Sequence, residues 1–401
     1  MDLRSGYPFW LVRNGFFRSY PSVRQPLETD VIVLGAGITG ALVAHALCSA
    51  GIEAVVVDRR NVGMGSTCAS TALLQYEIDT PLHTLIGYVG RDHAERSYQA
   101  CLEAIDRIRD ICRQEHIQAD FEEKKSLYYA SRKADLDSIE KEFSARRQMG
   151  IHLEKLSSED VKSAYGIRTA GALLSEKAAQ VDPYRLAHGL LLACKKRGLP
   201  ILDNTEISQI RNEGKKVELI TADGYQIRGR KMVYATGYEA LELLKKPVAT
   251  LHSTYAVVSE PLEDIVPLWK EACLIWETAV PYLYLRTTPD RRVLVGGKDE
   301  PFYSPSKRDR LLSRKSKQLV YSFQKLFPSI PFYPDYAWCG TFAETKDGLP
   351  FIGSVKQYPN SYFALGFGGN GITFSALAAQ LVRDDILGRP NPQSALFSFD
   401  R

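Results

Sequence analysis

The chain has 401 residues, 45% of them hydrophobic and 24% charged, with a net charge of +4. That length suits two domains with sizeable cores, and a small, dispersed positive charge without interleaved aromatics excludes nucleic-acid binding. Seven scattered cysteines without a CxxC pair predict reduced thiols and a cytoplasmic location, and seven histidines without HxxxH or HExxH spacing predict no metal site.

At the N-terminus, MDLRSGYPFWLVRNGFF interrupts its apolar residues with Arg13 and Asn14 and offers no small-residue cleavage site, so no signal peptide is expected. The apolar stretch from Val31 to Ala50 carries Gly35, Gly37 and Gly40 and changes period midway, which excludes an integral membrane segment. Val31 to Leu34 form a continuous apolar run, the pattern of a strand buried on both faces of a parallel sheet. GAGITG then sets Gly35, Gly37 and Gly40 in GxGxxG spacing, ALVAHALCSAG predicts an amphipathic helix closed by Gly51, and EAVVVD predicts the next strand, ending on Asp58.

Each part of that unit has a task. Gly35 permits the tight turn, Gly37 lets the backbone approach a pyrophosphate, and Gly40 lets helix pack closely on strand. The free amides and positive dipole end of the helix meet the phosphates, and Asp58 accepts ribose hydroxyls. The unit fits NAD, NADP or FAD; Arg59 and Arg60 suit a 2′-phosphate, but Asp58 repels one. The following GMGSTCAS stretch has Gly65, Ser66, Thr67, Ala69 and Ser70, small residues able to wrap a long polyhydroxylated chain or to form a solvated turn.

Further along, residues 92 to 116 and ADLDSIEKEFSARRQMG predict helices, SLYYAS a strand, and VDPYRLAHGLLLACKKRG a helix with proline in its first turn and Gly198 at its end. LPILDNTEISQI, KKVELITADGYQIRGR and KMVYATGYEA predict strands, with Ala222-Asp223-Gly224 as a hairpin turn. A second sheet follows in LHSTYAVVSEPL, YLYLRTT and RRVLVGG. In YLYLRTT, Tyr282, Tyr284 and Arg286 share one face, which is either solvated or a substrate wall. Near the end, GFGGNGITFS puts four glycines into six positions ahead of a helical stretch, ALAAQLVRDDIL.

These motifs resemble the FAD-dependent oxidoreductases of the D-amino-acid oxidase, glycine oxidase and sarcosine oxidase group, and within it the gamma-glutamylputrescine oxidase-like branch. The resemblance runs over almost the whole chain, on DVIVLGAGITG, GMGSTCAS, VDPYRLAHGL, MVYATG, TKDGLPFIGSVKQYPNSYFALGFGGNGITFS and the PFW arm. It implies an α/β fold, with a Rossmann-like FAD-binding domain (residues 1–85, 150–245 and 337–401) interleaved with an antiparallel-sheet substrate domain (86–149 and 246–336). It implies cofactor contacts from Gly35, Ala36, Gly37, Ile38, Thr39, Gly40, Asp58, Arg59 and the Gly65–Ser70 loop, from Ile207, from Ala235, Thr236 and Gly237, and from Gly340 and Gly348. It also implies that Phe367, Gly368, Gly369, Asn370, Gly371, Ile372 and Thr373 face the pyrimidine side of the flavin, where a helix N-terminus stabilises negative charge on the reduced ring.

Departures from the family pattern shape the substrate expectation. Phe342 stands where glycine oxidase-like members carry a carboxylate-binding arginine, so Glu344 is expected to attract an ammonium group instead. The covalent flavin cysteine of sarcosine oxidase aligns with Gly340, one residue from Cys339, which implies non-covalent FAD; the lysine that assists oxygen reduction there is replaced by Leu294. The implied activity is oxidation of the C–N bond of an amine or amino-acid-derived small molecule, as oxidase or dehydrogenase, with Tyr255, Tyr284, Arg286, Phe342 and Glu344 around the substrate. A hydroxy-acid oxidoreductase and a non-catalytic flavin-binding subunit are the alternatives.

Overall fold

The computed structural model describes residues 1–244, 246–365 and 367–401. Gly366, the first residue of the late glycine loop, therefore lies outside the described residues.

Two sheets organise the chain. The first has eight strands in the order Phe351–Val355, Tyr358–Leu365, Gln226–Tyr234, Leu27–Leu34, Ala54–Val57 and Ile201–Leu202, with Ile207–Glu213 and Lys216–Thr221 continuing from Gln226–Tyr234. From Tyr358–Leu365 to Ile201–Leu202 the pairings are parallel. Val31, Ile32, Val33, Val55, Val56 and Val57 are almost wholly buried, as strands covered on both faces must be. The hairpin turn forms as expected, with Gly224 at φ +86 and its N–H on the carbonyl of Thr221.

The helix Ile38–Ser49 differs from its expected amphipathic form. It is enclosed by the sheet and by the helices Pro183–Lys196 and Gly371–Ile386, and buries Ala41, Leu42, Val43, Ala44, His45 and Leu47 around its circumference. A helix in the middle of a layer has no solvent face, so its small apolar residues go all the way round. The helix Pro183–Lys196 starts as predicted: Asp182 caps it by accepting N–H bonds from Tyr184 and Arg185 at 3.0 and 2.9 Å, with Pro183 at the first turn.

The second sheet has ten strands, running Arg4–Gly6, Pro334–Glu344, Thr250–Ser259, Val293–Glu300, Tyr284–Thr287, Leu274–Glu277, Glu122–Tyr129, Gly171–Gln180 and Leu73–Gln75, with Leu153–Ser157 beside Gly171–Gln180. It is mixed, not purely antiparallel, because Leu274–Glu277 joins Glu122–Tyr129 in parallel. The sheet also takes strands from residues 153–180 and 337–344, which the sequence division places in the cofactor unit. A continuous hydrogen-bonded ladder thus crosses those boundaries. The helix Pro305–Leu326 covers its outer face, burying Leu319 and Phe323 against Tyr255, Val257 and Leu285.

The N-terminal arm is fastened to the interior. Trp10 is fully buried and donates Nε1–H to the carbonyl of Ser70 at 2.7 Å; Trp338 does the same to Ala69 at 2.8 Å. Two indoles therefore hold consecutive carbonyls of the loop between the sheets. Among the described residues no helix is long and apolar enough to cross a membrane, and no group of metal-ligating side chains gathers.

Candidate cofactor and substrate cavity

An elongated cavity of about 470 Å³ runs between the two sheets, and it collects most of the motif residues. At one end the GxGxxG turn folds by close backbone approach. Gly35 takes φ +113, and a side chain there would run into the carbonyl of Ala235; one at Gly40 would run into the carbonyl of Gly35. Gly37 is different. A Cβ there meets only the Thr67 hydroxyl, at 3.0 Å, and otherwise faces the cavity. Thr67 Oγ1 in turn accepts the Ile38 N–H at 2.9 Å, so the small-residue loop and the helix N-terminus form one wall. Gly65, Ser66, Ala69 and Ser70 continue that wall, and the Ser66 hydroxyl is buried there without a partner among the described residues.

Asp58 borders the cavity and accepts N–H bonds from Ala36 at 2.6 Å and Arg60 at 2.8 Å. Burial raises its pKa, and those two backbone donors offset part of the rise. Arg59 and Arg60 both donate to Glu239, at 2.5 and 2.8 Å, so neither is free for a 2′-phosphate. Ile207, Ala235, Thr236 and Gly237 close this end. Ala36 and Gly40 lie just behind the lining and shape it from there.

At the other end, Phe367, Gly368, Gly369, Gly371 and Ile372 border the cavity. Gly368 takes φ +55, and a Cβ on Gly368 or Gly369 would press on the Asp79 carboxylate at 2.5 or 2.7 Å. Asp79, which no sequence signal marked, organises the loop: it accepts the Gly369 N–H at 2.7 Å and the Tyr282 hydroxyl at 2.9 Å. Asn370 and Thr373 turn away from the cavity. Asn370 donates to the carbonyls of Gln75 and Glu77 at 3.1 and 2.7 Å, and the Thr373 hydroxyl sits 3.4 Å from the Gln75 carbonyl, so both anchor the loop. Ser375, one turn into the last helix, bonds to Thr39 of the first glycine motif at 2.7 Å across 336 residues of sequence. The two glycine loops are parts of one site.

The substrate residues divide. Tyr284 and Phe342 border the cavity, as do Gly340, Thr254 and Tyr282; the Tyr282 and Tyr284 rings lie 5.6 Å apart. Tyr255 borders it too, but its ring packs in the core under Pro305–Leu326 with the Lys315 ammonium over it. Its neighbours Thr254 and Ala256 point inward because strand residues alternate.

Three assignments are corrected. Arg286 is fully buried behind the cavity wall, where Nη1 donates to the carbonyls of Thr71, Ala72 and Val181 at 3.1, 2.9 and 3.0 Å, and the guanidinium covers Trp10. It shares a strand face with Tyr284, as expected, but the loop at residues 71–72 lies between it and the cavity. Glu344 is exposed at a strand end and faces His252 at 3.5 Å, outside the lining. Gly348 lies in a turn with φ +78, where a Cβ would meet the Thr80 hydroxyl, also outside the lining.

Cys339 points away from the cavity, with Sγ 3.5 Å from Asp309, and burial pushes its thiol up to about 12. Leu294 is buried among Trp10, Trp338 and Phe9 and does not border the cavity. No cysteine or histidine among the described residues does. The lining also includes Asp299, a residue the sequence reading passed over.

The parallel strand–glycine loop–helix unit, joined through Thr39 to a second helix N-terminus on an elongated cavity, defines a dinucleotide-binding flavoprotein class. The orphaned Ser66 hydroxyl, the open space at Gly37 and the spent arginine charges fit FAD. Comparison with known proteins agrees: the model of the DAO family, FAD dependent oxidoreductase, matches residues 30–384. The chain belongs to that family, and it is an FAD-dependent oxidoreductase.

It is 26% identical over 386 residues to the gamma-glutamylputrescine oxidoreductase of Escherichia coli (strain K12), covering 93% of this chain and 87% of that one. It is 20% identical over 385 residues to the glycine oxidase of Bacillus subtilis (strain 168), covering 92% and 96%. Its fold matches the crystal structure of glycine oxidase from Geobacillus kaustophilus with a TM-score of 0.78 at 20% identity, covering 94% of this chain and 99% of that one.

Proposed function

We propose that this protein oxidises the C–N bond of a small amine or amino-acid-derived substrate in an FAD-dependent reaction. The observation that carries the reading is the meeting of two glycine loops on one cavity whose far end is aromatic and lacks any basic side chain among the described residues. Bound FAD supplies a two-electron acceptor for a hydride from the carbon bearing nitrogen. The chain's own residues do the rest. Gly37, Thr39 and the Gly65–Ser70 loop hold the pyrophosphate and ribityl portions, Asp58 the ribose, and the amides at Gly368–Ile372 the ring end. Asp79 fixes that last loop by holding the Gly369 amide.

Tyr282, Tyr284 and Phe342 enclose the reacting end and exclude water, which favours the neutral amine over its ammonium. An amine needs no further base. An alcohol does, and among the described residues this end of the lining offers the Asp299 carboxylate and no histidine. The imine product then hydrolyses in water.

Oxidases, a deaminase and dehydrogenases lie among the named relatives and structural neighbours. We place this chain as a catalyst in its own right, in a reducing, cytoplasm-like compartment consistent with its seven free thiols, six of them buried. Anaerobic titration of the FAD-loaded protein with amines and with hydroxy acids tests the reading. Bleaching of the flavin band by amines alone, without added partner protein, is the expected result; bleaching by hydroxy acids alone overturns it.

A further inference from the structure

The cavity's charges are arranged unevenly. Arg59 and Arg60 are the basic residues on its lining, and both are committed to Glu239 at the nucleotide end. At the end formed by Tyr282, Tyr284 and Phe342, the charged side chain on the wall is Asp299.

Asp299 reaches the cavity through a defect in the sheet. Strand Val293–Glu300 pairs with Thr250–Ser259 so that Tyr255 opposes Gly297 while Ser253 opposes Glu300. Three steps on one strand match two on the other. The surplus residue is taken up by Gly297 at φ +130 and Lys298 at φ +59, a bulge that re-aims the next side chain. The result is a carboxylate whose Oδ1 is shielded from solvent and has no hydrogen-bond partner among the described residues.

The neighbouring cation does not supply one. Lys315 donates to the Lys298 carbonyl at 2.8 Å, pairs with Glu300 at 2.6 Å and lies over the Tyr255 ring. The other nearby ionisable groups add negative charge: Asp79, already held by Tyr282 and Gly369, and Glu344 both act on Asp299 in the direction that disfavours its ionisation. Thr254 and the Lys315 charge favour its ionised form, but a carboxylate oxygen shielded from water and left unpartnered is costly unless a ligand provides the cation. Tyrosine faces beside it suit an ammonium as well.

We propose that Asp299 binds an ammonium group of the substrate, and that the substrate is an aliphatic diamine, recognised through nitrogen and not through a carboxylate, with one nitrogen held by Asp299 as its ammonium while the other, on the carbon that is oxidised, is neutral. This rests on the amine reading above and assigns to Asp299 the specificity role expected of Glu344. It also accounts for the lack, among the described residues, of a carboxylate-binding arginine at this end: Phe342, stacked on His252 with ring centroids 5.3 Å apart, closes that side with an apolar surface.

The test uses FAD-loaded protein under anaerobic conditions, with butylamine and diaminobutane as cationic probes and butyrate as the anionic control. Binding is read from perturbation of the flavin absorption spectrum and from the shift in melting temperature. Both amines are expected to bind and butyrate is not. Asp299→Asn should weaken amine binding by about tenfold or more, the scale of a lost charge-assisted hydrogen bond, with FAD content unchanged; Asp299→Glu should recover part of it. Butyrate binding more tightly than butylamine in the parent overturns the proposal, a result that needs no variant to fold. So does an Asp299→Asn protein that binds amines like the parent. If amines bind through Asp299 but none bleaches the flavin, the assignment of Asp299 stands and the amine-oxidation reading falls. If amines bleach the flavin equally in parent and Asp299→Asn, the reverse holds.

Discussion

Replacing Gly37 by alanine should separate cofactor binding from folding, which few substitutions in a nucleotide loop can do. Gly37 caps the helix Ile38–Ser49 at φ −77 and ψ −173, a conformation open to any residue. An added Cβ meets the Thr67 hydroxyl at 3.0 Å, tight enough to disturb the bond that hydroxyl accepts from Ile38. Weakening one such bond costs about 1 kcal/mol. Removing a glycine from the unfolded chain returns about 0.4–1 kcal/mol. The protein without FAD should therefore melt within about 1 kcal/mol of the parent. Gly40→Ala is the contrast, because its Cβ would enter the Gly35 carbonyl and Gly35 is itself pressed against Ala235. Overpacking against backbone costs about 1–3 kcal/mol or more before any cofactor is added. With FAD present at about a hundredfold above its Kd, the parent gains about 3 kcal/mol by mass action. Gly37→Ala should lose most of that gain, since its methyl group occupies the space where the pyrophosphate meets the backbone. Differential scanning calorimetry with and without FAD, together with a fluorescence-quenching titration of the cofactor, gives both quantities. A Gly37→Ala protein with parental FAD affinity refutes the placement of the pyrophosphate, and one as unstable as Gly40→Ala without FAD refutes the packing argument.

Because no cysteine among the described residues borders the cavity, acid precipitation should release FAD into the supernatant; colour retained in the pellet would show a covalent link. Arg286→Leu leaves the carbonyls of Thr71, Ala72 and Val181 without this donor, and should destabilise the fold by about 1–3 kcal/mol for each that finds no other; a melting curve like the parent's would show that those contacts contribute nothing. Burial raises Asp299 to about 7, with Asp79 and Glu344 adding to the rise and Lys315 and Thr254 opposing it. Amine affinity should therefore fall as pH drops through about 7 and the carboxylate protonates, and a flat profile in that window would exclude Asp299 as the ammonium site. The same shift has the opposite sign for folding: the protonated acid's contribution is fully present below the unfolded value of 3.8 and is lost as pH rises through 7. Without ligand, Asp299→Asn should thus melt higher than the parent above about pH 7, and equal melting there would show that the buried charge carries no cost.

The nucleotide end of the site was legible in the sequence because local spacing dictates it. Gly35 and Gly40 are required by contacts within a few residues of one turn and by the strand carrying Ala235, and the valine runs record burial on both faces directly. The late glycine loop was legible only as a resemblance. Its structural reason lies in contacts distant in sequence: Asp79 with Gly369, and Thr39 with Ser375. Nothing in residues 76–80 announces a carboxylate that will hold an amide almost three hundred residues later. Helix Ile38–Ser49 was misread for a related reason, since amphipathicity presupposes a solvent face and the two helices that remove it come from elsewhere in the chain.

The substrate end failed on direction, not on residue type. Alternation correctly placed Tyr284 and Arg286 on one face of a strand, but alternation says nothing about which loop will cover part of that face. The loop at residues 71–72, held from the far side by Trp10 and Trp338 through its predecessors Ala69 and Ser70, buries the arginine and leaves the tyrosine. Asp299 was hidden by the complementary effect. A strict period of two through VLVGGKDE assigns it a direction, and the extra residue taken up at Gly297 and Lys298 changes that direction. The Gly-Gly pair was the available signal, because paired glycines inside a strand mark a place where regular pairing gives way. Gly296 leaves room for the Tyr284 ring and Gly297 for the carbonyl of Tyr282, so the same two residues that bend the strand also seat the aromatic wall. The acid and the tyrosines are therefore set by one local distortion. A side chain at position 296 should displace the Tyr284 ring and disturb amine binding while leaving the distant FAD contacts at Gly37 and Asp58 intact.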